Sequence, residues 1–315
     1  NITADNSINI DNAIVNDDSN ATTTLKVENN NLYNKTSNID KHEKITINII
    51  NKLYHATLSS EGGGTFANAQ LVEKNNDNIY KYPQKNIVSE SDSGPIRLGN
   101  INPDLPVILD GGNCNPCLAI YDNNTQQYEY INTAFKPLGK MNSEYFLNSN
   151  DTLILNFETT WNDISIQKTI TFYGNSYETV HQYYIDSPTT NKLEVVWDGG
   201  MQAIDQADYD WVTGNAMIGQ SGETESIQIS DGERYIPREE YNGSTDWVSV
   251  RTKYFIAAIL ANDTADYAVM SGGVNQNDIS SSYTVGLGYY GKKQINTSIY
   301  LGPLDICLLY TSPSP

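Results

Sequence analysis

Acid–base chemistry near neutrality needs histidine, and the chain has three: His42, His55 and His181. His55 and His181 each hold one position of an alternating apolar and polar run, where a hydrogen-bonded structural histidine is the commoner outcome. Glu178, Glu194, Asp198, Asp205 and Asp208 are the residue type that pairs in glycoside hydrolysis. In a chain with 38 acids, though, closeness in sequence says little about pairing. Cys114-Asn-Pro-Cys117 has thioredoxin-like spacing but follows Asp110-Gly-Gly-Asn113 in a loop, away from the helix start that stabilises a thiolate. That setting favours a local disulfide over a redox centre, with two free thiols also open. No second Cys/His pair completes a zinc site, so neither metal nor cofactor is expected. Glu61-Gly-Gly-Gly-Thr65 lacks the Lys-Ser/Thr of a phosphate loop and reads as a tight turn between strands, where positive φ or close backbone approach is needed.

The elements around these residues are strands. Apolar residues recur with period two over residues 45–50, 54–58, 153–157, 164–172, 177–185 and 193–197. In the fourth run Ile164, Ile166, Lys168, Ile170 and Phe172 share one phase. Tyr173-Gly-Asn-Ser176, residues 186–191 and Asp198-Gly-Gly200 supply turn chemistry between runs. Further strands are predicted at 226–230, 247–260, 267–270, 283–289 and 295–301, with 247–260 expected to run as one long strand. Residues 201–211 are a modest helix candidate. So many strands without an interrupting linker predict an all-β, two-layer sandwich with few short helices.

A length of 315 residues allows one large β domain or two ordinary ones. Residues 1–44 are Asn, Asp, Ser and Thr with scattered aliphatics and are expected to form a flexible tether, with a span of about 35–40 Å. Residues 45–305 are the expected sandwich. The formal charge of −19 makes nucleic acid an unfavourable partner. The longest apolar run, residues 254–261, is far short of the roughly 20 residues that cross a bilayer as a helix. Asn in place of Met at residue 1 reads as a fragment of a longer chain.

Three ordered stretches together resemble the large periplasmic domain of the YidC-type membrane protein insertases of Gram-negative bacteria, in the YidC/Oxa/Alb family. They are residues 55–65 with the Gly62-Gly63 pair, residues 247–260 with Trp247 and Lys253-Tyr254-Phe255, and Tyr300-Leu-Gly302-Pro303. Asp198-Gly-Gly200 after Trp197 resembles a further family turn. The resemblance covers about residues 45–305. It implies a twisted antiparallel β-supersandwich of the galactose-mutarotase-like kind, without catalytic residues, monomeric, on the periplasmic face of the inner membrane and tethered by segments absent from this chain. The implied partners are Sec translocon subunits and nascent membrane proteins. Residues 306–315, with Cys307, depart from the family's continuation and are expected to be a truncated tail. Two other readings stay open. One is a carbohydrate-active enzyme on this fold, with His181 and a carboxylate as its acid–base pair; the other is a secreted carbohydrate-binding module using some of the 22 Tyr and four Trp.

Overall fold

The computed structural model describes residues 33–34, 42–88, 97–110, 114–186, 192–201, 214–229, 234–274 and 281–304. Two compact units divide the chain; the first, Asn1–Asn31, lies outside the described residues, and everything below concerns the second. The expected tail at 306–315 and the helix candidate at 201–211 also fall outside them, apart from Met201.

Among the described residues every regular element is a strand. The first seven are β1 (Tyr33–Asn34), β2 (Thr46–Ile50), β3 (His55–Ser59), β4 (Thr65–Gln70), β5 (Pro83–Val88), β6 (Arg97–Pro106) and β7 (Ile108–Asp110). Then come β8 (Cys117–Asp122), β9 (Gln127–Ile131), β10 (Lys136–Pro137), β11 (Glu144–Phe146), β12 (Thr152–Trp161), β13 (Ile164–Tyr173) and β14 (Glu178–Ile185). The last seven are β15 (Lys192–Trp197), β16 (Asn215–Gln220), β17 (Glu223–Ile227), β18 (Tyr235–Arg251), β19 (Phe255–Val274), β20 (Ser281–Tyr290) and β21 (Gln294–Pro303). The few short helices expected from sequence are not found among these residues. β1 lies in the stretch read as tether, and it pairs in parallel with β9.

β19 organises the large sheet. Its first half, Phe255 to Ala261, pairs with β21, and its second half, Tyr267 to Val274, pairs with β20. β18 follows it along the other side, with register shifts between Ile236 and Glu239 and between Asn242 and Trp247. One hydrogen-bonded sheet therefore has two arms. One arm runs β10-β12-β13-β14-β21 to the start of β19, and the other runs β1-β9-β8-β15-β20 to its end. Ile166, Ile170 and Ile299 of the first arm and Ile120, Val195 and Leu287 of the second join a single buried cluster. β11-β2-β3-β4-β7 form a separate sheet, and Ile47, Ile49, Leu58 and Phe66 carry its inner face into that same cluster. This is the sandwich expected from sequence, antiparallel except where the short β1 and β11 add in parallel.

Residues 247–260 are not one strand. Trp247 pairs with Leu260 across a hairpin whose turn is Lys253-Tyr254. Thr252 closes it: its N–H donates to the Phe255 carbonyl at 2.9 Å, and its Oγ1 accepts the Phe255 N–H at 3.3 Å. A threonine hydroxyl does here what an Asn-Gly pair does in most two-residue hairpins, so the run lacks the usual turn residues.

Candidate functional site

His181 is sealed in the core with no carboxylate beside it. Its Nε2 lies 2.9 Å from Thr179 Oγ1, and its ring packs near Phe66. Burial, and then the nearby Lys168, hold it well below the ordinary histidine pKa. His55 Nε2 is buried without a partner on β3. The proposed carboxylates do not gather either. Glu178 is half-buried on the opposite arm from Glu194, and Asp205 and Asp208 lie outside the described residues. Asp198 accepts from Thr284 Oγ1 at 2.6 Å, while burial raises its carboxyl above the usual range. Among the described residues no three His, Cys, Asp or Glu side chains are placed to hold a metal ion. Cys114 and Cys117 form a disulfide, with Cα atoms 4.6 Å apart.

Two buried polar clusters replace the expected pairs. Lys168, on the inward phase of β13, is fully buried, and its Nζ donates to the carbonyls of Gly62, Gly64 and Pro116 at 3.0, 3.3 and 3.2 Å. An ammonium has three N–H donors for three acceptors, and the Tyr183 ring lies 5.0 Å from Nζ. Burial pushes the Lys168 pKa well below the ordinary lysine value. The turn that presents two of the carbonyls has positive φ at Gly62, Gly63 and Gly64, and a Cβ at Gly63 would stand 2.9 Å from the Lys168 Cδ. The glycine turn, the disulfide loop and β13 thus meet at one nitrogen.

The second cluster centres on Glu194, whose side chain is 0% exposed. It accepts from Arg238 Nη2 at 2.5 Å and from Tyr267 Oη at 3.0 Å. Tyr128 Oη lies 2.9 Å from Tyr267 Oη, and the Arg238 guanidinium covers the Tyr128 ring at 4.8 Å. Burial, then the Glu194 charge, raises both phenols, so both remain hydrogen-bond donors. This cluster ties β15 and β19 to β18 and β9.

The outer face of the first arm changes character along the sheet. Over β12 to β14 it is mixed: Thr169 is bonded to Asn156 and Gln182 to Asn296 of β21, while Ile154, Tyr173 and Tyr184 are exposed among them. At the end of β21 and the start of β19 it turns apolar. Ile256, Ala258 and Tyr300 form a cluster of their own on the side away from the main core, joined by Leu260 and Leu304. Beside them lies an open groove of about 420 Å³ floored by Met217, Trp247, Ser249, Ile256, Ala258 and Leu260. Gly219 matters here: a Cβ would stand 2.3 Å from Trp247 Nε1, so only glycine lets the indole lie flat on the strand.

The motif residues divide between these places. Gly62 and Gly63 shape the lysine turn, Trp247 floors the groove, and Phe255 is buried toward the core. Lys253 and Tyr254 are exposed at the hairpin tip, the ammonium 4.9 Å from the ring. Tyr300 Oη donates to the Pro303 carbonyl at 2.8 Å, and Gly302 leaves room for Tyr177.

The described residues thus form a curled, mainly antiparallel sandwich with a sealed core and one local apolar strip on its outer face. Residues 122–313 match the family model for the YidC periplasmic domain, and the chain belongs to that family. Two curated relatives bear the name membrane protein insertase YidC. The one from Chloroherpeton thalassium is 27% identical over 289 residues, covering 86% of this chain and 44% of that protein. The one from Chlorobaculum tepidum is 26% identical over 272 residues, covering 82% and 42%. The chain thus spans less than half the length of these relatives. Similar solved structures include a galactose mutarotase related enzyme from Lactobacillus acidophilus, 10% identical with TM-score 0.41, covering 82% of this chain and 97% of that one. A galactose mutarotase-like protein from Clostridium acetobutylicum is 8% identical with TM-score 0.40, covering 84% and 97%.

Proposed function

We propose that this chain is the extramembrane part of a working insertase, held at the periplasmic face of the inner membrane, and that it acts by contact and not by catalysis. Its partners on this reading are Sec translocon subunits and nascent membrane proteins. The folded body on this reading is residues 45–305 with β1 added at the edge of its sheet, and the rest of residues 1–44 is a tether. The motif residues are structural, each fixing a turn or a strand crossing. The observation that carries the reading is the family match over residues 122–313. His181 supports its non-catalytic half, because a core imidazole bonded to a threonine has no route to a substrate proton.

The test has two arms. Full-length protein extracted from membranes is expected to co-purify with translocon subunits, and the purified chain is expected to leave the rate of anomer exchange of free aldoses unchanged. Anomer exchange that the chain accelerates and His181→Gln abolishes would restore the enzyme reading. Loss of co-purification at all detergent strengths would remove the partner reading.

A further inference from the structure

We propose that the end of the domain formed by the Lys74–Tyr80 turn and the Lys253-Tyr254 hairpin tip is a bilayer-docking face, which seats Ile79 and Tyr254 among phospholipid headgroups. The inference rests on the reading that the chain is held at a membrane, and it names the surface that meets the lipid.

Three contacts bring this face together. The Tyr82 ring packs edge-on against Phe255, centroids 5.7 Å apart, so the base of the first turn lies on the base of the hairpin tip. The Leu53 carbonyl accepts the N–H groups of Val72 and Glu73, which sets the exposed Lys52 beside the same turn. Tyr177 Oη donates to Glu73 at 3.1 Å, and its ring meets that of Tyr300, on the strand that pairs with the start of β19.

The turn is built to present its apolar residue. Asn75 Oδ1 accepts the N–H groups of Asp77 and Ile79, both at 3.0 Å, and the Asn75 N–H donates to the Ile79 carbonyl at 2.9 Å. Ile79 is held out at 45% exposure, and Tyr254 at the neighbouring tip stands at 48%. Leu105 is 48% exposed two residues before Val107, whose N–H bonds the Tyr82 carbonyl.

The polar groups around these side chains favour lipid over protein. Three lysines lie over tyrosines: Lys74 Nζ is 4.8 Å from the Tyr80 ring centroid, Lys81 Nζ 5.3 Å from Tyr82, and Lys253 Nζ 4.9 Å from Tyr254. Tyrosine and lysine around a few exposed aliphatics make the composition of the membrane–water interface, where a phenol sits at headgroup level and an ammonium on its apolar stem reaches phosphate. Protein interfaces are depleted in lysine.

Charge permits the approach. Lys52, Lys74, Lys81 and Lys253 face Glu73 and Asp77 at the two turns, and one step outward Lys85 and Arg251 accompany Asp104, Asp151 and Glu178. Six cations against five acids is close to balance, in a chain whose acids outnumber its cations 38 to 19. With a Debye length of about 8 Å, an approaching bilayer meets the charge of this end and not the −19 of the whole chain.

The experiment floats the purified chain with vesicles of phosphatidylethanolamine and phosphatidylglycerol and follows amide hydrogen exchange on them. The chain is expected to float, with residues 74–81 and 253–254 exchanging more slowly on vesicles than in solution. Ile79→Asp with Tyr254→Asp, both at exposed positions, is expected to lower partitioning at least about tenfold. Lys74→Glu with Lys253→Glu is expected to lower it about fivefold or more. Tyr184→Asp with Tyr235→Asp, exposed at the far end of β14 and the start of β18, should leave it unchanged, and an unchanged Tm confirms that each variant is folded. No flotation of the folded wild-type chain, protection that misses both turns, or an equal loss in the Tyr184 and Tyr235 control overturns the proposal. So does tighter binding of polyglutamate than of vesicles, which would give the face to an acidic protein. Each of these leaves the co-purification test of the insertase reading untouched.

Discussion

Replacing Lys168 by methionine is expected to lower the stability of the domain by about 3 kcal/mol, read as a fall of roughly 5–10 °C in Tm. Two effects oppose one another. Methionine removes the cost of burying an ammonium, which is several kcal/mol. It also leaves the carbonyls of Gly62, Gly64 and Pro116 facing a thioether, and those acceptors belong to the backbone and cannot be substituted away. An orphaned buried acceptor costs about 1–3 kcal/mol, so three of them outweigh the relief. An unchanged Tm would mean that the three carbonyls find other donors. His181 gives the same region a pH signature. Its folded-state pKa lies below the unfolded value of about 6.5, so below that pH the unfolded chain binds a proton that the folded chain refuses. The His181 contribution is full above about pH 6.5 and falls as pH falls, by at most about 1.4 kcal/mol per pH unit, until the folded-state pKa of His181 is reached. Urea titrations of wild type and His181→Gln from pH 7.5 to 5 check this, and the slope should shrink in the variant.

The second large effect concerns Glu194 and Arg238. Arg238→Met should cost about 4 kcal/mol, because it takes the cation away from a fully buried carboxylate. Glu194→Leu should cost less, about 2–3 kcal/mol, because the Arg238 side chain is 12% exposed and can turn toward water. The double variant should be milder than Arg238→Met alone, since an apolar pair leaves no charge stranded. Denaturant midpoints for the cycle decide the matter, and additive costs would show that the two side chains do not depend on each other.

The two arms of the sandwich were legible because their strands keep strict period two: β13 was visible as Ile164, Ile166, Ile170 and Phe172, and β14 from its alternation. Lys168 was legible too, as the one charge on the apolar phase of β13, but nothing in a sequence tells that three distant carbonyls will converge on it. The Glu194 cluster was hidden for the same reason, its members coming from β9, β15 and the β18–β19 hairpin. The β18–β19 hairpin was misread because Thr252 supplies a turn that glycine or asparagine usually marks. The groove was hidden in the alternation itself. In β19 both phases are apolar, with Phe255, Ala257 and Ile259 facing the core and Ile256, Ala258 and Leu260 facing out. A continuous apolar run gives the strand without telling which face is covered.

The outward side of β19, where Leu260 is half-buried, is where the central claim, a domain that works by contact, is most directly open to test. A photoreactive amino acid at Leu260, in full-length protein in its own membrane, should crosslink to a translocon subunit or a nascent membrane protein. The same probe at Gln182, exposed on β14, should not. Equal crosslinking from both positions, or none from Leu260 while the protein stays folded and inserted, would contradict the account.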